Sequence, residues 1–195
     1  RVRGRWRRAR GPLLILGILL VAGLLAALLR PPTGSDPLAP DNPQPGGARA
    51  LAQVLGQQGV DVQDLRSTDE AIARARPGVT LLVVGSYALT EEQVTALAGT
   101  GADLVLAGPE DSHLSTLTDG ALETAYAGLR RTLDARCQDP DALAAGSVTS
   151  SGWGLVATDD RATVCFVGAP EEGGAYAWVQ DGARRVAVLD DAGML

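Results

Sequence analysis

Ser86 and His113 are the two residues of this sequence whose chemistry suits nucleophilic catalysis. Ser86 follows the apolar run TLLVV, where a strand-to-helix turn can present a nucleophile. His113 is the chain's single imidazole and could serve as the base, with an acid such as Asp103 to orient it. The elbow pattern G-x-S-x-G is not met around Ser86. An exposed polar loop is therefore the simpler interpretation, and we predict no catalytic residue.

His113 also lies close to Glu110 and Asp111 in the stretch GPEDSHL. An imidazole and two carboxylates can bind a metal, but this spacing is not specific for one. A solvated loop after a strand is the expected structure, and we predict neither a metal nor a cofactor. Doubly wound sheets nevertheless bind ligands at the carboxyl ends of their strands. Ser86, Glu110, Asp111 and His113 are therefore the candidate ligand or partner surface at that edge.

Two adjacent glycines, Gly46 and Gly47, precede a helical pattern in PDNPQPGGARALAQVLGQQG. A dinucleotide-binding loop needs G-x-G-x-x-G after a strand, and a P-loop needs a Lys, which this chain lacks. We therefore interpret the glycines as a helix entry in which small residues allow close packing. The alternative is that DNPQPGG lines a ligand cleft or a partner surface, with Asn42 and Arg49 as its polar contacts.

The charge divides the chain into a basic start and an acidic remainder. Residues 1–30 carry seven Arg and no acid. Residues 31–195 carry ten Arg and 23 Asp or Glu, which gives them a net charge of −13. An acidic domain argues against nucleic-acid binding, because phosphate contacts need Lys or Arg. We therefore expect no nucleic-acid partner.

Residues 12–30 contain an apolar run that predicts one transmembrane helix. Within it, residues 13–29 carry no polar side chain and would be about 26 Å long as a helix, the lower limit for crossing a bilayer. The Arg-rich residues 1–11 predict a cytoplasmic tail, so the chain that follows is expected outside the cell. The bilayer is thus an expected partner. A cleaved signal peptide is the competing interpretation, and a buried helix is a third.

The remainder of the chain predicts a stalk and one domain. Residues 31–45 are rich in Pro and predict an extended stalk. Residues 46–195 predict an extracytoplasmic domain, which contains the chain's two cysteines, Cys137 and Cys165. An even number of cysteines in an oxidising compartment favours a disulfide, and two unpaired thiols are the alternative.

Helices and strands alternate at short spacing over residues 46–107, as in a parallel sheet covered by helices. Helices are expected near residue 48, at Ser67 and at Thr90, the last two with a Glu or Gln at capping-box spacing. The expected strands are VDVQDL, TLLVV and ADLVLAG. TLLVV is apolar throughout, which predicts burial on both faces.

The C-terminal half has the pattern of short antiparallel strands. WGLVA, TVCFV, AYAWV and RRVAVL predict strands, and Asp181-Gly182 predicts a hairpin turn. Adjacent acids such as Asp190 and Asp191 are expected to be solvated. The overall prediction is an α/β fold: a parallel-core three-layer sheet, Rossmann-like, with C-terminal antiparallel hairpins. One more helix is predicted from the spacing of Leu122, Tyr126, Leu129 and Leu133.

Taken in order, these segments resemble the membrane-anchored DUF4350 family of high-GC Gram-positive bacteria over nearly the whole chain. The most specific part is N-P-x-P-x-G-A-R-A-L at the helix entry. The family's domain is similar to class I glutamine amidotransferase-type α/β domains, whose reactive Cys lies in an elbow after a strand. Gly85-Ser86-Tyr87 follows the corresponding strand here, and neither cysteine does. Amidotransferase chemistry is therefore not expected.

The resemblance also implies a second membrane helix beyond the domain. Its absence, together with the lack of an initiator Met, predicts a chain truncated at its C-terminus. Membrane-protein partners linked to a MoxR-type AAA ATPase are implied as well. We therefore predict a non-catalytic binding or interaction module of a membrane complex. The alternative is a hydrolase or transferase whose site lies on the loops at the carboxyl ends of the strands.

Overall fold

The computed structural model describes residues 15–24 and 36–194. The chain divides into two compact units, Arg1–Val60 and Asp61–Leu195. Residues 15–24 of the predicted transmembrane segment are helical, whereas its other residues and the predicted cytoplasmic tail lie outside the described part. In the described ranges, no helix combines the length and the apolar composition needed to cross a bilayer.

The end of the predicted stalk forms hydrogen-bonded turns rather than an extended segment. Leu38 N–H donates to the Gly46 carbonyl at 2.7 Å, and Ala48 N–H donates to the Ala39 carbonyl at 3.1 Å. These bonds fold residues 36–48 back on themselves. The prolines in this stretch therefore shape turns, which they favour by fixing their own φ.

Helix α1 (Arg49–Gln57) occupies the segment predicted from its apolar periodicity. Gly59 adopts a left-handed φ of 85°, and Val60 N–H donates to the Leu55 carbonyl at 3.0 Å. This ending satisfies a carbonyl of the last turn and requires the φ that Gly adopts without strain. The predicted helix and its glycine stop are confirmed.

The predicted strand VDVQDL is wrong, because residues 60–67 contain no strand. Val60 and Val62 are both exposed. Their alternation is a strand pattern, but no neighbouring strand pairs with this segment among the described residues. A strand without a ladder partner leaves its backbone groups to water and gains little from its side chains.

Nine strands in the described part of the second unit form two sheets. The larger sheet has the order β1-β2-β9-β8-β6-β3, with β7 also paired to β8, and β4 pairs with β5 in a separate small sheet. β1, β2 and β9 are parallel, whereas the other pairs are antiparallel. In chain order the strands are β1 (Thr80–Val84), β2 (Asp103–Ala107), β3 (Leu122–Tyr126), β4 (Thr132–Asp134), β5 (Ser147–Thr149), β6 (Trp153–Ala157), β7 (Ala162–Val167), β8 (Gly174–Asp181) and β9 (Arg184–Leu189).

Helices cover one face of the larger sheet, and the small sheet packs with the other. Alternate residues of a strand face opposite sides. Val186 and Val188 of β9 join a core with side chains of helices α3 (Glu91–Ala98) and α4 (Asp111–Leu117). Ala187, which lies between the two valines, packs against a second cluster. That cluster also includes residues of β4, β5 and a helix at Pro140–Ala145. The described helices of this unit are α2 (Thr68–Arg74), α3, α4 and α5 (Pro140–Ala145).

Strand β1 is less covered than its apolar sequence predicts. Leu81 is buried, but Leu82 on the opposite face is 45% exposed. β1 is a terminal strand, and the second cluster reaches the sheet at β8 and β9 instead. The strand itself is confirmed, and its burial on both faces is wrong.

The predicted helix through Leu122 and Leu133 is also wrong, because this segment contains β3 and β4. β3 pairs with β6 over five residues, from Leu122 opposite Ala157 to Tyr126 opposite Trp153. Helical spacing of apolar residues was present, but this segment pairs with β6, and Leu122 joins the core beneath the helices. The predicted C-terminal strands and their hairpin are confirmed, with Gly182 at a φ of 61° in the turn.

Cys137 and Cys165 form a disulfide, as the sequence predicted. Cys165 belongs to β7 in the larger sheet, and Cys137 lies between β4 and α5. The bond therefore links the larger sheet covalently to the segment that carries the small sheet.

One of the two predicted capping boxes forms. Thr90 Oγ1 accepts from Gln93 N–H at 3.3 Å, and Gln93 Oε1 accepts from Thr90 N–H at 3.0 Å. Ser67 makes no such bond with its side chain, so that prediction is wrong. A matched pair of alanine variants follows from this difference.

Thr90→Ala is expected to lower the free energy of unfolding by about 1 kcal/mol, because the variant leaves N–H groups at the start of α3 without their cap. Ser67→Ala is expected to change it by less than about 0.5 kcal/mol. Urea unfolding of the two variants beside the wild type measures both values. Equal losses would contradict the difference between the two helix starts.

Candidate functional site

The carboxyl ends of β1 and β2 bring together three residues of the predicted surface. Ser86 follows β1, and Glu110 follows β2. Glu110 N–H donates to Ser86 Oγ at 3.0 Å. Ser86 Oγ is also 3.0 Å from Nδ1 of His113, which belongs to α4. Parallel strands end at one edge of a sheet, so the sequence could indicate this proximity before any contact was known.

Gly85 turns the chain so that Ser86 reaches β2. Gly85 N–H donates to the Ala107 carbonyl at 3.1 Å, which continues the pairing of β1 with β2 by one residue. Gly85 itself has a left-handed φ of 57°, and a 3-10 turn from Ser86 to Ala88 follows. Gly is the residue for which this φ has no steric cost. The sharp turn after β1 therefore depends on Gly85.

The hydrogen bonds around His113 assign its tautomer. The buried hydroxyl of Ser86 already accepts from Glu110 N–H, and its own hydrogen needs an acceptor. His113 Nδ1 is the acceptor within reach, so the ring proton belongs on Nε2. Nε2 faces Glu91 Oε1 at 3.8 Å, and Nδ1 is 4.0 Å from Glu110 Oε2. Ser86 and His113 thus lie in a row between the backbone N–H of Glu110 and the carboxylate of Glu91.

This arrangement contains the groups of a nucleophile, a base and an acid, but the nucleophile is closed off. Ser86 is 1% exposed, so the predicted exposed loop is wrong there. The solvated loop predicted around His113 is also wrong, because Asp111–Leu117 form α4 and His113 is 4% exposed. A nucleophilic oxygen must approach within bonding distance of a substrate, and these neighbours occupy that space. In this conformation the network joins the turn after β1 to α4.

Two other residues considered from the sequence, Asp111 and Asp103, do not join the Ser86 network. Asp111 Oδ1 accepts a hydrogen bond from the Thr124 hydroxyl of β3 at 2.8 Å. Asp103, the acid suggested for a triad, begins β2 at the opposite edge and accepts from Arg185 N–H at 2.8 Å. Asp103 therefore cannot orient His113, and that assignment is wrong.

Asn42 and Arg49 belong to the first unit, and the Asn42 side chain forms hydrogen bonds with the backbone of the turns there. Its Nδ2 donates to the Asp36 carbonyl at 2.9 Å, and its Oδ1 accepts from Gln44 N–H at 3.0 Å. A Cβ added at Gly47 would lie 2.2 Å from the Asn42 carbonyl oxygen. Gly47 is therefore needed for close packing at the helix entry. Arg49 is the exposed first residue of α1, and its role as a ligand contact stays a prediction.

A surface pocket of about 310 Å³ lies at the amino ends of the parallel strands, away from the predicted edge. Arg184 lines it and donates to the Ala98 and Thr100 carbonyls and to Asp181. These bonds occupy the guanidinium, so the pocket offers a ligand no free cation there. The described residues contain no group of three or more His, Cys, Asp or Glu able to hold a metal.

Comparison with known proteins gives the family. The profile of DUF4350, a domain of unknown function, matches residues 40–195, which is most of the chain. This chain belongs to the DUF4350 family. The assignment confirms the resemblance drawn from the helix entry and the strands that follow it.

The uncharacterized membrane protein Rv3691 of Mycobacterium tuberculosis is a relative of this DUF4350 chain. The two are 33% identical over 115 residues. The aligned part is 58% of this chain and 30% of that protein, so the match spans less than a third of the relative's length. No solved structure shows significant similarity to this chain.

Asp190 is a largely buried carboxylate at the carboxyl end of β9 in this DUF4350 domain, which the sequence did not single out. It follows β9 directly, and the prediction of a solvated acid pair is wrong for it. Its Oδ2 accepts from the Ser151 hydroxyl at 2.8 Å and from Ser151 N–H at 3.2 Å. Its Oδ1 is buried and has no hydrogen-bond partner within residues 15–24 and 36–194. The signal in the sequence was its position just after a buried parallel strand.

Burial raises the pKa of Asp190 above its usual value, and the nearby carboxylate of Asp191 adds to the rise, whereas the bonds from Ser151 oppose it. A carboxyl whose pKa is higher in the folded chain binds protons more tightly there than in the unfolded chain. Between the usual value of about 3.8 and the raised folded pKa, stability therefore falls as pH rises. Above the folded pKa, Asp190 is ionised in both the folded and the unfolded chain, and the folded chain is destabilised by burying that charge.

Asp190→Asn is expected to remove that slope. The free energy of unfolding of the wild type should fall relative to the variant as pH rises from about 3.8 through the folded pKa. Urea unfolding of both proteins at several pH values between about 4 and 8 measures the difference. If the difference in the free energy of unfolding between wild type and variant is the same at every pH, the pKa of Asp190 is not raised. A pH-independent effect of the Asn side chain on stability does not affect this test.

Proposed function

We propose that this chain is a membrane-anchored protein whose residues 46–195 form an extracytoplasmic domain, and that this domain binds a partner protein without catalysing a reaction. The apolar run at residues 12–30 and the Arg-rich start support the anchor. The relative named as a membrane protein supports it as well. We further propose that the domain is a three-layer, amidotransferase-like sheet and that its partners include membrane proteins linked to a MoxR-type ATPase.

The burial of Ser86 is the observation that carries the non-catalytic part of the proposal. Its Oγ is held between Glu110 N–H and His113 Nδ1, each at 3.0 Å. A polar network of this kind stabilises a structure when all its members are satisfied. It supports a structural role, in which Ser86 and His113 fix the turn after β1 against α4.

A serine-directed fluorophosphonate probe tests this role in the full chain, with Ser86→Ala and Ser112→Ala as a matched pair. Ser112 is exposed on α4 beside His113 and serves as the control. We expect no labelling that depends on Ser86. We also expect Ser86→Ala to lower the free energy of unfolding by roughly 1–3 kcal/mol, because Glu110 N–H and His113 lose their partner. Ser112→Ala should change it by less than about 0.5 kcal/mol.

A hydrolase or transferase is the second candidate, and the 3.0 Å distance between Ser86 Oγ and His113 Nδ1 favours it. The turn from Ser86 to Ala88 would have to open about Gly85 to admit a substrate. In that case the wild type and Ser112→Ala should be labelled by the probe, and Ser86→Ala should not. This outcome would replace the binding role with a catalytic one.

The anchor and its orientation need a separate measurement. An alkaline phosphatase reporter fused after Leu195 is expected to be active, because that enzyme needs an oxidising compartment for its disulfides. A fluorescent protein that works only in the cytosol is the complementary fusion. Activity of the second fusion and not the first would overturn the proposed topology.

A further inference from the structure

Strand β3 ends the larger sheet, and one of its edges has no strand beside it in the described part of the chain. Its hydrogen bonds to β6 can be assigned from the two ends of the pair. Ala127 N–H donates to the Gly152 carbonyl at 2.9 Å, and Thr158 N–H donates to the Ala121 carbonyl at 3.0 Å. Both bonds continue the register of the β3–β6 pair.

This register fixes which backbone groups face outward. In an antiparallel pair, residues that bond across the pair alternate with residues that do not. Because Ala121 and Ala127 bond to the segment of β6, the outward groups belong to Leu122, Thr124 and Tyr126, and those of Leu122 are covered, since this residue is only 1% exposed. None of their N–H or carbonyl groups bonds to another described residue outside the pair. The accessible part of the edge is therefore formed by the N–H and carbonyl groups of Thr124 and Tyr126.

An aromatic pair lies at the end of the same strand. Tyr126 is 69% exposed and Trp153 is 54% exposed, and their rings meet edge to face with centroids 5.7 Å apart. Tyr126 shares its face of the strand with the buried Leu122, because they are four residues apart. The pair therefore extends the core face of the sheet into solvent. Aromatic rings that are apolar on the face and polar at the tip are common in binding surfaces.

We propose that the free edge of β3 and the Tyr126–Trp153 pair bind an extended segment of a second protein that carries Arg or Lys. The segment adds a strand to the sheet through the outward backbone groups, which is a recurring mode of peptide recognition. This inference rests on the proposed binding role and names the surface and the chemistry of the partner. Residues 122–126 with Trp153 are called the β3 edge below.

Charge selects a basic partner for the β3 edge. Glu123 is exposed and has no ion-pair partner among the described residues, and Asp111 is held beside β3 by Thr124. The two cations of the following loop are neutralised, since Arg130 pairs with Asp191 and Arg131 with Glu172. Alternate residues of a strand face opposite sides, so Glu123 makes one face of the edge acidic, whereas Asp111 and the aromatic pair lie on the other face.

A second copy of the chain is a poor occupant of the same edge. Residues 31–195 carry a net charge of −13, so two copies repel each other. An Arg or Lys side chain of the added strand, by contrast, gains from Glu123 on one face, or from Asp111 and the rings of Trp153 and Tyr126 on the other. Opposite charge also steers the encounter of the two partners.

Site-specific photo-cross-linking in intact cells tests the inference. The full chain carries p-benzoylphenylalanine in place of Tyr126, and a control chain carries it in place of Leu143, an exposed residue of α5. We expect the first chain to cross-link to one segment of another protein, and mass spectrometry should find Arg or Lys within that segment. Cross-links to a second copy, to lipid or at the level of the Leu143 control would overturn the proposal.

Two changes at Thr124 test the backbone pairing in the cross-linking chain. Thr124→Pro removes an outward N–H and should lower the cross-linking yield roughly ten-fold or more, because Pro cannot donate to an added strand. Thr124→Val keeps that N–H and removes the bond to Asp111, so it should keep most of the yield. Equal yields from both variants would overturn the pairing.

Folding and charge are controlled separately. The unfolding midpoint of each variant shows whether the chain is still folded, and Glu123→Gln leaves the backbone unchanged while lowering the acidity of the edge. We expect Glu123→Gln to reduce the yield at low salt and to weaken its salt dependence. No effect of salt or of Glu123→Gln would overturn the basic partner. Loss of cross-linking without labelling of Ser86 would reject this surface and leave the non-catalytic role in place.

Discussion

Replacing Cys137 and Cys165 by Ala together is expected to lower the free energy of unfolding by about 3–4 kcal/mol, because their separation of 28 residues closes a sizeable loop in the unfolded chain. For a domain of this size the melting temperature should fall by roughly 10 °C. Thermal and urea unfolding of the oxidised wild type and of the double variant measure the loss.

The reduced wild type is the control for this prediction, because it loses the bond and keeps both side chains. Cys165 is fully buried, so its replacement by Ala also removes some packing. The reduced wild type should therefore lose slightly less stability than the double variant. If reduction leaves the unfolding midpoint unchanged, the disulfide is not closed in the protein and the proposed oxidising compartment loses its support.

Arg185→Ala is the second change with a large expected effect. Arg185 Nη2 donates to Asp139 Oδ2 at 2.8 Å and to the Tyr176 hydroxyl at 2.9 Å, and the guanidinium lies 4.8 Å from the centre of the Trp178 ring. The side chain of Asp139 is only 3% exposed. Removing Arg185 leaves this carboxylate buried without its cation, and we expect a loss of roughly 2–3 kcal/mol.

Two further variants distinguish the loss of the buried Arg185–Asp139 pair from the general effect of removing a positive charge. Arg74→Ala removes an exposed cation that pairs with Glu70, and should cost about 0.5 kcal/mol. Arg185→Ala combined with Asp139→Asn should restore part of the loss, because the buried carboxylate is then absent. Asn keeps an oxygen that can cap α5, whose Asp141 and Ala142 N–H groups bond to Asp139 Oδ1. Equal losses for Arg74→Ala and Arg185→Ala would contradict the pair.

The disulfide and Arg185 hold the same part of the chain. Both link the segment between β3 and β6, which carries β4, α5 and β5, to the larger sheet. Tyr126 and Trp153 lie at the two ends of that segment. We therefore expect variants that free it to weaken binding at the β3 edge in addition to their effect on stability, and the cross-linking yield from residue 126 measures this.

The sequence predicted the parts of the fold whose signals are local. The stop at Gly59, the capping box at Thr90 and the hairpin turn at Gly182 depend on a few neighbouring residues and were confirmed. The cysteine count predicted the disulfide, because the argument needed only the expected compartment. The edge where Ser86, Glu110 and His113 meet could also be predicted, because parallel strands end on one side of a sheet.

Other predictions failed where a distant partner decides the outcome. The segment that starts at Leu122 had helical spacing, yet β6 pairs with it and makes it a strand. VDVQDL alternated like a strand, yet no strand pairs with it in the described part. In the first case a pairing partner outweighed the local preference, and in the second the lack of a partner did, as often happens for short segments.

The sequence by itself determined the family, the alternation of helices and strands from Thr68 to Ala107, the charge and the positions of the sharp turns. Only the tertiary structure decided that Ser86 is buried against His113, 27 residues away, and that Asp190 bonds to Ser151, 39 residues away. It also decided that Arg185 neutralises Asp139, 46 residues away. The physical reason is that residues so far apart meet only through the register and packing of the sheet, which no local pattern encodes.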